Sequence, residues 1–461
     1  MFFIYYLFKE NDKLTYSELK NTFIELNKNT FEELLSKLMI KGILKNFNGY
    51  NNENSNYFKF IFVGIVIFKN IVIFVYPKYI RNINDDFNNG KAKFKQILAV
   101  IKKYKKDNSL SIQTIEQNNV ELQLELLNDF FLNGLYLRNK DKLVLYGENE
   151  IDWANTIERS LPYIINGSPI YLDLFSQEQD IDEENMVRQL HKKILTEISN
   201  NLAPLLNILN IEEVKFNESY GKVIDEKQYL NYLLETEKSK QFISSQIEII
   251  DKLINYINDN INKKEMNIYG TKNFNLVWEE VCKVVYKNNL NDSLLSTHLE
   301  YQGEIRYLNK KQELNYDKNL KIKELVSKPI WYSNKLDEYV ESKKTFELDV
   351  MNVNHNNKTL NIYDGKYYTM KIDSNKIQGQ PGTYDIVKQY IYQLNYQKLA
   401  VLNNYRFNNI FVLPYDELKN DNGKGVFIGN VKIDILDELG LEKISLLGRD
   451  CYTFFKQYLN A

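Results

Sequence analysis

The sequence predicts a multidomain α/β protein with helices and strands at the N-terminus, a helical middle and a C-terminal α/β domain. Three observations support this class. The chain has 461 residues, enough for two or three domains. Apolar residues alternate in short runs near both ends, as they do in strands, and recur at helical spacing in between. An apolar content of 44% is typical of a folded protein. We expect domains over residues 1–160, 161–265 and 266–461.

The composition excludes several kinds of site. The two cysteines, Cys282 and Cys451, are too few for a four-cysteine zinc or iron–sulfur site. The three histidines lack the spacing found in zinc hydrolases. No phosphate-binding glycine loop of the usual kinds is present, so we expect the chain itself to bind no nucleotide.

Charge and hydropathy limit the expected partners and location. The net charge of −2 gives no overall basic field, so DNA binding would need a local basic patch or a partner protein. The longest apolar run, residues 60–76, is interrupted by Lys69 and Asn70, which predicts two short strands instead of a membrane span. The apolar N-terminus lacks the basic segment of a signal peptide. We therefore expect a cytoplasmic protein without membrane contact.

Residues 13–46 have the pattern of two helices followed by a strand. The first helix begins at Thr15, which has a glutamate three residues later, and we place the N-cap of the second at Thr30. A polar loop over residues 46–56 and a further strand follow, which is the element order of a small winged-helix unit. Such units bind DNA in many proteins and protein partners in many others. Both alternatives stay open because the segment mixes basic and acidic side chains, namely Lys37, Lys41, Lys45, Glu32 and Glu33.

The middle of the chain, residues 177–265, is strongly charged and has helical apolar spacing. We expect one helix over residues 184–210 and another over residues 226–262. The region contains no grouping of catalytic residue types, and its His191 is expected on a helix face and not in a metal site. A two-helix arm or a subunit-contact surface is the predicted role.

The C-terminal region carries the most informative pattern. A strand-like run over residues 346–353 contains Asp349, and a second run over residues 359–366 ends in Asp364, Gly365 and Lys366. The polar residues between the two runs predict a hairpin turn. Because side chains alternate along a strand, Asp364 and Lys366 share one face, and hairpin pairing would bring Asp349 to it.

Two converging carboxylates repel each other unless a hard cation lies between them, and Mg²⁺ is commonly held by one or two carboxylates. A lysine beside that ion can orient or deprotonate the attacking water and neutralise charge on phosphorus. Two acids about fifteen positions apart, followed by a lysine two residues on, resemble the core of PD-(D/E)xK nucleases. A solvated hairpin tip explains the same spacing equally well.

Two helices accompany the hairpin. Residues 274–288 form an amphipathic helix with Glu279 and Glu280 beside its apolar face, where an acid of PD-(D/E)xK enzymes often reaches the metal. A longer helix over residues 384–398 carries an unusual polar stripe. We expect this stripe to donate hydrogen bonds to DNA phosphate or to the catalytic carboxylates, and its members are Asp385, Gln389, Tyr392, Gln393 and Tyr396.

Taken together, these segments resemble the LlaJI family of restriction endonucleases, which is itself similar to the McrC nuclease subunit. The resemblance is carried in order along the chain by residues 62–66, 76–78, 150–157, 277–279, 362–368 and 381–394. It implies a Mg²⁺-dependent endonuclease of phage defence, with Mn²⁺ able to substitute. It also implies double-stranded DNA as substrate and an McrB-like AAA+ GTPase as a partner encoded separately. GTP would act only through that partner.

The resemblance also assigns residues to roles. Asp349 matches the first acid, Asp364 the second acid and Lys366 the lysine. Glu279 matches the helix acid, and Gln389 or Gln393 the helix glutamine. By this assignment Asp349, Asp364 and Glu279 would hold the metal.

The chain departs from the family pattern at two positions. Leu348 replaces the usual proline, and Gly365 replaces the usual alanine, which we expect to loosen the strand. Two rivals remain open: a non-catalytic adaptor or DNA-recognition subunit, and a RecB-like repair exonuclease that acts only at DNA ends.

Overall fold

The computed structural model is a mixed α/β structure. It describes residues 3–47, 57–108, 119–216, 226–260, 266–301, 304–307, 310–313, 319–334, 337–373, 376–418, 421–437, 439–441 and 443–461. The chain divides into two compact units. The first comprises Met1–Ile65, Ile71–Thr114 and Gly270–Ala461, and the second comprises Val66–Asn70 and Ile115–Tyr269. The division of the sequence into three consecutive domains stays a prediction.

The N-terminal part of the first unit begins with β1 (Ile4–Lys9), β2 (Leu14–Thr15), α1 (Tyr16–Thr22), α2 (Lys28–Ile40), β3 (Leu44–Phe47) and β4 (Tyr57–Phe60). The N-cap predicted at Thr15 is confirmed: its side chain accepts from the amide of Glu18, whose carboxylate accepts from the amide of Thr15. The N-cap predicted at Thr30 is wrong. Asn27 caps α2 instead, because its Oδ1 accepts from the Thr30 amide at 2.9 Å. Most of the predicted polar loop, residues 48–56, lies outside the described residues.

The apolar run predicted as two strands forms them. It contains β5 (Val63–Phe68) and β6 (Ile71–Tyr76), whose residues are all buried. Strand β6 pairs in parallel with β1 in a sheet of order β1-β6-β5-β11, where β11 is Asn267–Thr271. Helices α3 (Ile83–Asn88) and α4 (Ala92–Asp107) follow.

The second unit is helical with short antiparallel strands. Its elements are α5 (Asn119–Asn133), β7 (Asn139–Leu145), α6 (Trp153–Arg159), β8 (Tyr163–Ile165), β9 (Ser168–Ile170), β10 (Phe175–Ile181), α7 (Met186–Leu209), α8 (Lys227–Lys238) and α9 (Ser244–Asn260). The single helix expected over residues 226–262 is wrong: it divides into α8 and α9, and residues 261–262 lie outside the described part. On α7, His191 is fully buried, and its Nδ1 accepts from the Tyr136 amide at 3.2 Å.

The C-terminal part of the first unit is built around one five-stranded sheet. Its elements are α10 (Phe274–Val285), β12 (Glu304–Tyr307), β13 (Lys310–Glu313), β14 (Ile330–Ser333), β15 (Glu338–Glu341), β16 (Val350–Asn354), β17 (Thr359–Gly365), β18 (Lys371–Asp373), β19 (Lys376–Gln378), α11 (Thr383–Asn403), β20 (Arg406–Tyr415), β21 (Val426–Val431), α12 (Asp434–Asp437), β22 (Ile444–Asp450) and α13 (Cys451–Asn460).

The order of this sheet is β16-β17-β20-β22-β21. The three central strands run parallel, and both edge strands are antiparallel to their neighbours. Strand β22 was absent from the sequence prediction. Helix α11 connects the parallel strands β17 and β20, and Tyr392, Tyr396 and Leu399 pack with Leu360 and Ile362 of β17.

The N- and C-terminal parts of the first unit share a polar and aromatic contact. The Tyr367 hydroxyl donates to Glu10 Oε2 at 2.6 Å, and Lys78 Nζ lies 4.3 Å from the Tyr367 ring centroid. The rings of Tyr79 and Phe274 lie 6.4 Å apart. These contacts tie the end of β1 and the segment after β6 to Tyr367, which follows β17, and to Phe274 at the start of α10.

Across the described ranges, none of the helices combines the length and the apolar character that a membrane crossing requires.

Candidate active site

The hairpin predicted from the sequence is present and brings the two acids together. Strands β16 and β17 pair with Val350 opposite Tyr363, so Asp349, one residue before β16, stands opposite Asp364. The predicted strand began too early, at residue 346. The backbone amide of Gly365 donates to Asp349 Oδ2 at 3.3 Å, which fixes that carboxylate beside the end of β17.

Asp364 is held in an unfavourable environment for a carboxylate. It is 3% exposed, and burial, followed by the neighbouring Asp349 carboxylate, raises its pKa well above the usual aspartate range. Lys366 opposes this shift, since its Nζ lies 2.9 Å from Asp364 Oδ2. That oxygen nevertheless makes no hydrogen bond of normal geometry to any residue that the structure describes. The ionised form of Asp364 therefore needs further positive charge.

Lys366 bridges two carboxylates. Its Nζ also lies 2.9 Å from Oδ1 of Asp385 in the first turn of α11. Burial lowers the pKa of Lys366, but Asp364 and Asp385 outweigh burial and raise it above the ordinary lysine value. Asp385 is itself anchored, because its Oδ2 accepts from the Gly382 amide at 3.1 Å and the Tyr368 hydroxyl at 3.3 Å. Lys366 is thus a fixed cation.

The ion pair between Lys366 and Asp385 was missing from the sequence analysis, which placed Asp385 only on the polar stripe. A signal existed. Asp385 is an acid in the first turn of a helix that begins after a glycine- and proline-bearing loop, a position that fixes its carboxylate near the strand end.

Helix α10 packs against β17 at Gly365, one residue after Asp364. A Cβ built on Gly365 would lie 3.2 Å from Sγ of Cys282 and 3.3 Å from Cα of Glu279. Glycine at this position therefore lets the helix pack closely on the strand. We had expected Gly365 to loosen the strand, but the residue is buried against α10.

Glu279 and Glu280 differ in their surroundings. Burial raises the pKa of Glu279, and the charge of Asp364 contributes to the same shift. Glu280 forms an ion pair with Lys283 at 3.8 Å. Among the residues that the structure describes, no three acidic, histidine or cysteine side chains lie close enough together to hold a metal ion jointly. The charge of Asp364 therefore affects the pKa of Glu279, but Glu279 does not form a metal-binding group with Asp349 and Asp364 among the described residues.

The two glutamines of the polar stripe meet on a third amide. Gln389 donates to Oδ1 of Asn409 at 3.1 Å, and Asn409 donates to Oε1 of Gln393 at 2.8 Å. All three residues are buried, and Asn409 lies on β20. These hydrogen bonds join α11 to the sheet, and the prediction that the two glutamines also donate to DNA phosphate or to the carboxylates stays a prediction. Asn409 gave no signal in the sequence, because its partners lie on another element.

A large cavity opens beside Asp349. Its volume is about 1560 Å³, and Asp349 forms part of its wall, whereas Asp364 and Lys366 do not. Several lysines also line it, namely Lys283, Lys287, Lys323, Lys328 and Lys398. Six acidic side chains line it as well, namely Glu280, Asp292, Glu324, Glu341, Glu347 and Asp349, so the lining is mixed in charge and not basic overall.

Comparisons with known proteins give a consistent family match. The profile of the family described as LlaJI restriction endonuclease matches residues 62–300 and 306–447. The chain is similar to the type II restriction enzyme BsuMI component YdjA of Bacillus subtilis (strain 168), with 25% identity over 439 residues, 91% of this chain and 84% of that protein.

Two solved structures show weaker similarity. One is a half-complex of Thermococcus gammatolerans McrB AAA+ hexamers with bound McrC, with 12% identity, 99% of each chain covered and a TM-score of 0.35. The other is the McrBC complex of the same organism, with 12% identity, 65% of this chain and 89% of that chain covered and a TM-score of 0.23.

Proposed function

Because the chain belongs to the LlaJI family of restriction endonucleases, we propose that it is the DNA-cleaving subunit of a cytoplasmic restriction system that acts in phage defence. The proposed reaction is Mg²⁺-dependent hydrolysis of phosphodiester bonds in double-stranded DNA by a PD-(D/E)xK domain. One observation carries the proposal. Asp349 and Asp364 stand opposite each other at the end of a hairpin, with Lys366 Nζ 2.9 Å from Asp364.

The acidic pair fits a hard divalent cation. Proteins usually hold Mg²⁺ with one or two carboxylates, while waters and substrate phosphate oxygens complete the coordination. The buried Oδ2 of Asp364, which lacks a hydrogen bond of normal geometry, supports a cation at this place. When bound, Mg²⁺, or Mn²⁺ in its place, would polarise the scissile phosphate and stabilise developing negative charge.

We assign Lys366 to charge neutralisation and to orientation of the attacking water. Its raised pKa keeps the ammonium group protonated at neutral pH, which makes it a poor proton acceptor in the arrangement described. A fixed ammonium donor at the scissile phosphate stabilises the transition state without reorganisation. Asp385 acts as a positioning residue, because its Oδ1 holds Nζ at 2.9 Å.

Three further residues have proposed roles. Glu279 would contribute negative charge to the metal site from α10, and its proximity to Asp364 supports this role. Gln389 and Gln393 would support the site indirectly, by holding α11 and therefore Asp385 against the sheet through Asn409.

We also propose a partner, an AAA+ GTPase encoded as a separate chain. The Bacillus subtilis relative is named as one component of a restriction enzyme. This supports the proposal that the present chain also works with another subunit. GTP would then act only through that partner. The N-terminal helices and strands, in a winged-helix-like order, and the second unit supply candidate surfaces for DNA or partner contact.

The test uses covalently closed circular DNA, the purified full chain and Mg²⁺, with and without the AAA+ partner and GTP. The Asp364→Asn protein is compared with Asp434→Asn, a matched control whose side chain is 90% exposed on α12. Nicking or linearisation by the wild-type and control proteins, but not by Asp364→Asn, would support the proposal. Digestion of linear DNA alone would indicate an exonuclease. Absence of cleavage with both proteins folded and associated would indicate a non-catalytic adaptor.

A further inference from the structure

A small N-terminal sheet of three antiparallel strands, in the order β2-β4-β3, has one buried and one outward face. Leu44, Phe58 and Phe60 are buried on the inner face. Because side chains alternate along strands, Lys45 and Phe47 on β3 share the outer face with Tyr57 and Lys59 on β4. Two lysines and two aromatic rings therefore form one patch.

The lysines on this face stand in a row. Lys45 pairs directly with Lys59, and continuing the pairing of Leu14 with Phe58 places Lys13 opposite Lys59 on its other side. We call Lys13, Lys45 and Lys59 the lysine row. Like charges directly opposite each other destabilise a sheet. In the described part of the chain, none of the three forms an ion pair that would offset this repulsion.

Two aromatic rings support the row. The rings of Phe47 and Tyr57 are stacked with centroids 5.6 Å apart and an interplanar angle of 10°. Lys59 Nζ lies 5.5 Å from both centroids, and Lys13 Nζ lies 5.2 Å from that of Tyr57. These cation–π contacts hold the ammonium groups over the rings and leave their remaining hydrogen-bond donors available to an anion.

We propose that the lysine row binds the phosphate backbone of double-stranded DNA, at a site separate from the carboxylate pair. Adjacent strands lie about 4.8 Å apart, so the row spans roughly 10 Å and can contact successive phosphates. Such contacts position DNA without reading its sequence. With a net charge of −2 the chain has no overall basic field, so any direct contact with DNA requires a local patch of this kind. The choice of DNA as the polyanion rests on the proposed function.

The test measures binding without cleavage. A fluorescently labelled duplex is titrated with the full chain in EDTA over a series of salt concentrations, and the charge-reversed double variant Lys45→Glu/Lys59→Glu is compared with wild type. The matched control, Lys240→Glu/Lys456→Glu, makes the same change in net charge at two exposed lysines elsewhere. We expect weaker binding and a salt dependence shallower by about two in the row variant alone, since each lost phosphate contact removes about 0.9 from the slope.

A second variant keeps the test decisive if charge reversal impairs folding. Lys45→Gln/Lys59→Gln removes the repulsion, so it should raise the melting temperature while still weakening DNA binding. A row variant that is folded and binds DNA with the affinity and salt slope of the wild-type protein would overturn the proposal. Loss of binding to the AAA+ partner by that variant would not rescue it. An equal loss in the control variant would also overturn it. The assay measures DNA binding without catalysis. Its result is therefore independent of whether the proposed nuclease activity is found.

Discussion

Replacing Asp364 with asparagine should change how the stability of the metal-free protein depends on pH. In the folded state, burial and then the Asp349 carboxylate raise the pKa of Asp364. The unfolded chain has an ordinary aspartate pKa of about 3.9. Between these two values the folded state binds more protons than the unfolded state, so the free energy of unfolding falls as pH rises.

The magnitude follows from one proton. A difference of one bound proton changes the free energy of unfolding by about 1.4 kcal/mol for each pH unit. Asp364 is 3% exposed, so solvent screens little of this effect. From about pH 5 to about pH 7, the wild-type protein should lose up to about 3 kcal/mol of unfolding free energy that Asp364→Asn retains. If the proposed metal site is correct, added Mg²⁺ should return part of the loss, because it would bind the ionised carboxylate.

Urea unfolding in EDTA at a series of pH values measures the effect. Asp434→Asn is the control and should follow wild type. Other groups also titrate in this range, so the informative quantity is the difference between wild type and Asp364→Asn. If that difference is the same at every pH, Asp364 is not the buried, proton-retaining carboxylate described above, and the reasoning fails.

Four further outcomes are expected. Lys366→Ala should reduce DNA cleavage at least about a hundredfold while leaving DNA binding in EDTA nearly unchanged, as for a transition-state group; retained cleavage would remove Lys366 from the mechanism. Asp385→Asn should lower kcat more than it raises KM, and should lower the Lys366 pKa seen by NMR; an unchanged pKa would contradict the ion pair. Gly365→Ala should lower the free energy of unfolding by about 1–3 kcal/mol, because the added methyl group overpacks against α10. The same substitution should cost less in a protein that already carries Cys282→Ala, and simple additivity of the two effects would refute the contact. Burial lowers the pKa of His191 to about 4, so its imidazole should stay neutral at pH values where an exposed histidine is already protonated; an NMR titration midpoint near about 6.5 would refute its burial.

The sequence was most informative where the structure depends on near neighbours. Alternation and a polar turn were enough to predict the β16–β17 hairpin, and the hairpin alone brings Asp349 to Asp364. The cap at Thr15 was readable for the same reason, because its partner lies three residues away. Asparagine and threonine both occur near the start of α2, and sequence preference alone did not separate them.

Contacts between distant elements were mostly missed. The ion pair of Lys366 with Asp385 joins a strand end to a helix start, and Asn409 meets Gln389 and Gln393 only after β20 has joined the sheet. Strand β22 was missed, although it lies beside β20 within the sheet. The fit of Gly365 to α10 depends on a packing distance that no residue pattern encodes.

The contact of Glu10 and Tyr79 with the C-terminal part of the first unit has a consequence for synthesis on the ribosome. Glu10 bonds Tyr367, and the ring of Tyr79 lies 6.3 Å from that of Phe455. The first hundred or so residues therefore emerge long before their partners, whereas the second unit is continuous enough to fold while translation proceeds. A nascent or prematurely terminated chain that ends before Phe455 would lack the ring contact with Tyr79. The chain that we propose to cleave DNA would thereby complete the packing around Tyr79 only after Phe455 has been translated.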